Sequence, residues 1–265
     1  MKSLAYYFRI YRKLISQYLK SRLSFKTDSF FAIFGLTLLN MIGVLSIIFI
    51  FKRIPVLSGW TYYELLFMHG FMLFACLPQQ LIFDRLWELS GELMYGDFIL
   101  YYFRPINIMF SFIAEKIDLK GFGQVVIAIV LLIYAGMKVS IHWSAVKIVF
   151  AFVFFAGSAL VYLGIRIITS SSAFWLISNI SVMNFVAYLE GYGGYPFKIY
   201  PKVIRMFFTY MIPFMFIAYF PVNILLNEDS FSINWLFTPA AGIIVIVIAN
   251  FIWKKGLKNY TGTGT

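Results

Sequence analysis

Glu64, His69 and Cys76 stand out chemically in a chain with few ionisable groups. A carboxylate and an imidazole can pass a proton or hold a metal when one face brings them together. Glu64 lies five residues before His69, and 3.6 residues per helical turn would set them about 140° apart. The only other histidine is His142, and neither sits in an H-E-x-x-H or comparable ligand spacing. His69 therefore reads as packing. The single Cys76, inside an apolar run, excludes an internal disulfide and any CxxC site, and reads as packing too. No G-x-x-x-x-G-K-[ST] loop occurs, so the chain has no phosphate cradle of that kind. The glycine-rich EGYGGYP from Glu190 to Pro196 lacks the lysine and reads as a loop on the outer face. No catalytic residue and no metal ligand is assigned.

The elements around these residues belong to a membrane protein. Hydrophobic residues make up 62% of the chain and charged ones 12%, against about 25% charged in soluble domains. Mean hydropathy is +0.84. Phe30 to Phe51 carries no charge, and its 22 residues at 1.5 Å each cover the roughly 30 Å hydrocarbon core. A net charge of +11 would point to nucleic acid in a soluble chain, but its distribution argues for a bilayer and no nucleic acid. Lys2, Arg9, Arg12, Lys13, Lys20, Arg22 and Lys26 all precede the first apolar segment. Between them Leu4, Tyr7, Tyr11, Leu14, Tyr18 and Leu19 recur at helical spacing. The spacing predicts an amphipathic interfacial helix over residues 1–27, on the cytoplasmic side. The basic region is too long for a signal peptide, and no small-residue cleavage site follows.

Further apolar segments lie at about 62–83, 121–137, 147–168, 170–189, 206–226 and 237–253, seven candidates in all. Seven crossings would put Lys254, Lys255 and Lys258 outside, against the positive-inside rule. The segment MFFTYMIPFMFIAYFPVNILL (206–226) is expected to fail to cross, because Pro213 and Pro221 each remove a helix hydrogen bond. A re-entrant pair of short helices fits the region 196–230. Six spans then place fifteen of the 22 basic residues inside and both termini in the cytoplasm of a multi-pass inner (plasma) membrane protein. The alternative is that 170–189 fails to cross, weakened by Ser170, Ser171, Ser172, Asn179 and Asn184. The terminal TGTGT has no packing capacity.

On this topology the stretch LWELSGELMYGDFILYYFRPINIMFSF (86–112) is cytoplasmic. Leu86, Leu89, Leu93 and Met94 predict an apolar face, and Asp84, Glu88 and Glu92 an acidic one. The aromatic run to Phe103 then ends at Arg104-Pro105, and INIMFSFIAEKIDLK resumes a helix too polar for lipid around Glu115, Lys116, Asp118 and Lys120. Such an insert reads as a knob for a partner's groove. The competing reading is a helix resting on lipid.

GELMYGDFILYYFRPIN after the second span, SAFW at Ser172 to Trp175, and the later YPFKIYPKVIRMFFTYMIPFMFIAYFPVNILL resemble the permease subunits of ABC-2 type transporters, in a largely uncharacterised bacterial branch. The resemblance extends over nearly the whole chain. It implies an all-α membrane fold in one domain (1–265): an amphipathic connecting helix, six spans, a coupling helix in the cytoplasmic loop 84–106 and outer re-entrant helices before the sixth span. It also implies an exporter permease that is not itself an enzyme and works as a dimer with a second copy or a related permease. ATP and Mg would bind a separate cytoplasmic ATPase. By position, the ATPase contacts would be Glu88, Glu92, Met94, Tyr95, Asp97, Phe98 and Tyr101, with Arg12 and Lys13 from the connecting helix; Arg104 and Pro105 would orient the start of span three.

Asn40, Gln79, Gln80, Asn179 and Asn184 are candidates for a substrate pathway, with interhelical hydrogen bonding as the competing role. The 31 Phe and 18 Tyr fit a hydrophobic or amphipathic substrate, as they fit ordinary membrane packing. An ion-coupled carrier or an intramembrane transferase is the alternative, and either would need acids or metal ligands at membrane depth. The acids fall mainly in loops and at span ends, which weakens both.

Overall fold

The computed structural model describes residues 4–23, 26–176, 178–227 and 231–262; Lys2 and the last three residues of TGTGT lie outside them. Eleven α-helices are described: α1 (Leu4–Leu23), α2 (Lys26–Arg53), α3 (Tyr62–Ile82), α4 (Leu89–Met94), α5 (Ile108–Ile113), α6 (Gly121–Gly136), α7 (Ala145–Ser171), α8 (Ile180–Glu190), α9 (Lys202–Met206), α10 (Tyr219–Asn227) and α11 (Phe237–Asn259). No strand appears among the described residues beyond the isolated Leu57–Trp60 bridge. Among the described residues, four helical segments are long and apolar enough to cross a membrane: Thr27–Arg53, Tyr62–Ile82, Ala145–Phe174 and Ile233–Asn259. The apolar α6 is shorter, at 16 residues or about 24 Å.

Helix direction can be read from where glycines let backbones meet. A Cβ on Gly70 would touch Leu131, one on Gly136 Phe67, and one on Gly121 Leu81, so α3 and α6 run antiparallel. Gly157 meets Pro239, Gly164 meets Val245, and Gly256 meets Phe174, so α7 and α11 run parallel. The approach is close: a Cβ on Gly157 would stand 2.8 Å from the Pro239 Cα, and one on Gly242 2.5 Å from the Gly157 carbonyl. Small residues at such positions are the usual means of close helix packing in membranes.

Parallel α7 and α11 require the chain between them to travel back, and it does so in pieces. The segment expected to be continuous over 170–189 is broken. Ser170 and Ser171 close α7, and the Asn179 side chain donates to the Thr169 and Ser170 carbonyls (3.1 and 2.9 Å), satisfying groups that a helix end leaves open. Only the eleven residues of α8 are helical beyond it, about 16 Å. The expected break within 206–226 is present at Ile212–Pro213, where Ile212 turns extended (φ −126°, ψ 93°). Pro221 departs from expectation: it lies in the first turn of α10, where no intrahelical bond is lost. Ser158 then binds the Phe216 carbonyl (3.0 Å) and Lys147 the Leu225 carbonyl (3.3 Å), pinning the returning chain to α7.

One further expectation is corrected between α3 and α6. The helix expected to resume after Pro105 stops at Ile113, and Arg104-Pro105 precede α5 rather than the longer α6. The Asp118 carboxylate accepts from Lys120 N (2.9 Å) while its own N–H binds the Leu81 carbonyl (2.9 Å), a turn that restarts the chain as α6.

A Tyr7–Phe110 ring contact at 4.8 Å docks α1 against α5, with Tyr7, Tyr11, Leu14, Tyr18 and Leu19 half-buried and Arg9, Arg12 and Lys13 exposed. Tyr260, after α11, packs on Phe98 (5.4 Å) and Tyr102 (5.7 Å). Both ends of the described chain thus meet the 84–113 insert at one end of the bundle.

Candidate functional site

The insert folds as a chain of short turns around its own apolar core. A 3₁₀ turn at Asp84–Glu88 leads into α4, Gly96 reverses the chain at φ 81°, and a second 3₁₀ turn runs Asp97–Tyr101. Glycine takes that left-handed backbone without steric cost. Leu86, Leu89 and Leu93 turn inward as their spacing predicts. Phe98 is fully buried, its ring 5.9 Å from Phe112, 5.7 Å from Phe174 and 6.4 Å from Trp253. Tyr101 is 3% exposed. These two were expected to touch a partner, and their burial corrects that: hydrophobic rings in a small insert are needed for its own core. The exposed set is Met94, Tyr95, Asp97, Leu100, Tyr102 and Phe103, with Tyr95 and Phe103 each 76% exposed.

Of the expected acidic face, Asp84 is buried and Glu92 half-buried, while Glu88 remains exposed. Arg85 reaches Glu92 (2.8 Å), Glu115 (2.5 Å) and the Tyr101 hydroxyl (2.6 Å), and Tyr101 donates to Glu115 (2.9 Å). Arg104 pairs with Glu115, binds Ser111 (3.0 Å) and covers the Tyr101 ring at 4.9 Å. Glu92 is therefore a structural partner of Arg85, and Glu88 holds Lys116 at 2.5 Å. Burial, with Glu115 and Glu92 nearby and despite Arg85, raises the Tyr101 phenol above its usual range. Lys120 lies 2.8 Å from Asp118 and 3.6 Å from Asp84. Burial and a hydrogen bond with Asp118 push the Asp84 carboxyl up to about 7. Burial acts to raise Asp118 too, but its bonds with Asp84 and Lys120 outweigh that and hold it low.

Above this network lies a cavity of about 430 Å³ lined by Gln79, Gln80, Asp84, Trp87, Glu88, Lys116, Lys120 and Arg166. Arg166, 4% exposed, stands over the Trp87 ring at 5.1 Å, donates to the Tyr162 hydroxyl (2.9 Å) and pairs with Glu190 at the end of α8. Cys76 Sγ contacts the same carboxylate at 3.9 Å. Glu190, the first residue of EGYGGYP, is thus held inside the bundle by α3 and α7.

A family model described as ABC-2 family transporter protein matches residues 37–264. The chain belongs to that family. No curated protein matches it. The ABC-2 permease is thus a membrane-embedded transport subunit, and its remaining candidate residues divide by environment.

Gln79 and Gln80 line the cavity, and the Gln79 Nε2, in a residue 2% exposed, has no partner. Asn179 caps α7 and takes a structural role, its N–H binding Ser90 at 3.3 Å. Asn184 is exposed on α8, and Asn40 on α2 has an unpartnered buried Nδ2. The structure does not gather these five into one pathway. Arg12 and Lys13 are exposed on α1. Glu64 closes a capping box with Thr61, Thr61 N donating to its carboxylate at 2.8 Å, so it starts α3 rather than serving His69. His69 is half-buried, and its buried Nε2 is unpartnered. A second, apolar groove of about 480 Å³ is bounded by Ile165, Val186, Tyr210, Phe216, Val245 and Ile248 among others.

The Arg166–Glu190 pair was missed in the sequence. Its signal was an arginine inside a 27-residue apolar helix, since a charge at membrane depth needs a counter-charge.

Proposed function

We propose that this ABC-2 permease is one half of a dimeric export pathway, driven by a separate cytoplasmic ATPase that carries the ATP and Mg. The observation that carries the reading is the exposed apolar surface of Met94, Tyr95, Leu100 and Phe103 on a well-packed insert. Exposed apolar patches on a built surface mark interaction sites. The insert is the coupling element, and Tyr95, Met94, Asp97, Leu100 and Phe103 are its contact residues; Arg12 and Lys13 add a basic contribution from the connecting helix. Six crossings of the inner membrane with both termini cytoplasmic fit helices that bring α1, the insert and the end of α11 together. In that reading α8 with 191–199 makes the fifth crossing, and the broken region 202–227 is re-entrant. The apolar groove beside α8 and α11 supports a hydrophobic or amphipathic substrate.

The test is affinity purification from the native membrane, with identification of copurifying chains. The permease is expected to bring down an ATPase with a G-x-x-x-x-G-K-[ST] loop, and the triple variant Tyr95→Ala, Leu100→Ala, Phe103→Ala to lose it at unchanged thermal stability. Absence of any ATPase under crosslinking overturns the reading.

A further inference from the structure

The Arg166 guanidinium is only partly used. Its Nε and Nη2 face the Tyr162 hydroxyl and Nη2 also meets Glu190, while Nη1 is buried and has no partner. Gln79 Nε2, buried at the edge of the same cavity, is also unpartnered. Buried donors in native proteins are almost always satisfied, by protein, water or ligand. The lining acids are already engaged: Asp84 faces Lys116 (3.8 Å) and Lys120 (3.6 Å), and Glu88 holds Lys116. What is missing is an acceptor for these two donors.

The three lining cations are each paired with an acid, Arg166 with Glu190, Lys116 with Glu88 and Lys120 with Asp118, and the Asp84–Asp118 pair shares a hydrogen bond, so the lining is close to neutral. Trp87 covers one face of the guanidinium and Tyr162 and Glu190 take Nε and Nη2, so an added carboxylate or phosphate oxygen is directed to Nη1. The volume of about 430 Å³ lies within the range of small-molecule sites and far exceeds one water.

We infer that this cavity is a binding site for one oxyanion, a phosphate or carboxylate group, gripped by Arg166 and the Gln79 amide. The inference does not depend on the docking of an ATPase. The same oxyanion chemistry is offered by an anionic lipid headgroup at this end of the bundle and by a soluble anion.

Two arms separate the sources. In the first, the full chain in neutral-lipid nanodiscs is unfolded thermally with inorganic phosphate or with chloride at matched ionic strength. In the second, native mass spectrometry counts phosphatidylglycerol against phosphatidylcholine retained on the chain. Gln79→Leu leaves the ion pair intact; Arg166→Gln with Glu190→Gln removes it without stranding a charge. A ligand that binds only the folded state raises the midpoint in proportion to ln(1 + [L]/Kd). Stabilisation by phosphate, or selective retention of phosphatidylglycerol, weakened at least tenfold in affinity by Gln79→Leu and abolished in the double variant, supports the site. The arm that responds names the source. No response in either arm, or a response equal in both variants, overturns it and leaves a cavity holding water only.

Discussion

Phe98 lies edge-on to Phe174, ring centroids 5.7 Å apart, so the insert and the end of α7 share one aromatic wall. Asn259 donates to the Phe174 carbonyl (3.0 Å) and Tyr102 to the Leu257 carbonyl (2.9 Å), which brings α11 into the same junction. Removing the Phe98 ring empties the centre of this wall. Phe98→Ala is expected to destabilise the protein by about 3–5 kcal/mol, as large-to-small changes of buried aromatics do. Tyr95→Ala and Phe103→Ala, on the outside, are expected to change stability by less than about 0.5 kcal/mol. Thermal unfolding in one detergent checks both, and equal losses would refute the division of the insert into core and surface.

Arg166 and Glu190 are expected to behave as a unit. Breaking a buried pair by removing one partner costs about 3–5 kcal/mol, whereas removing both is often close to neutral. Arg166→Met and Glu190→Leu should each lower stability strongly, and the double variant should recover most of the loss. Additive losses across the cycle would show that the two side chains do not interact.

Gly157 and Gly242 bring the α7 and α11 backbones together. Gly157→Leu has no side chain that could yield, because the Pro239 backbone lies opposite, and a loss larger than the usual 1–3 kcal/mol for overpacking is expected. Gly35→Leu, on α2 with open space around it, serves as the control and should unfold at the wild-type midpoint.

Asp84 gives the protein a pH dependence with a defined sign. Its folded pKa, near 7, lies above the carboxylate value of about 3.8, so between those limits the folded state binds the extra proton. Stability from this group is present at acid pH and is lost as pH rises toward and through 7. Asp118, held low, acts oppositely, losing stability as pH falls through the acid range. The groups facing Asp84 are Asp118, Lys116 and Lys120. Asp84→Asn should flatten the unfolding midpoint between pH 5 and 8, and an unaltered slope would count against the assignment.

The sequence revealed what depends on local chemistry. The amphipathic spacing of α1, the apolar lengths of α2, α3, α7 and α11, and the break at Pro213 are all decided within a few residues of where they occur. Residue types alone could not separate Phe98 from Phe103, because five residues of 3₁₀ turn after a left-handed Gly96 rotate the two onto opposite sides. Glu92 looked like a surface acid until Arg85 and Glu115 were brought beside it by the turns that follow α3. The 170–189 segment had the hydropathy of a crossing, but Asn179 reaches back nine and ten residues to close α7, a contact that no window average contains.

α7 and α11 run in the same direction and meet backbone to backbone at Gly157 and Gly242, so sliding one past the other or splaying them apart would cost that close packing. They form a lever about 40 Å long at 1.5 Å per residue over the 27 residues of α7, with the aromatic wall at one end. In the proposed coupling, a push on the exposed rings of the insert would enter this pair through the aromatic wall and would act on both helices at once.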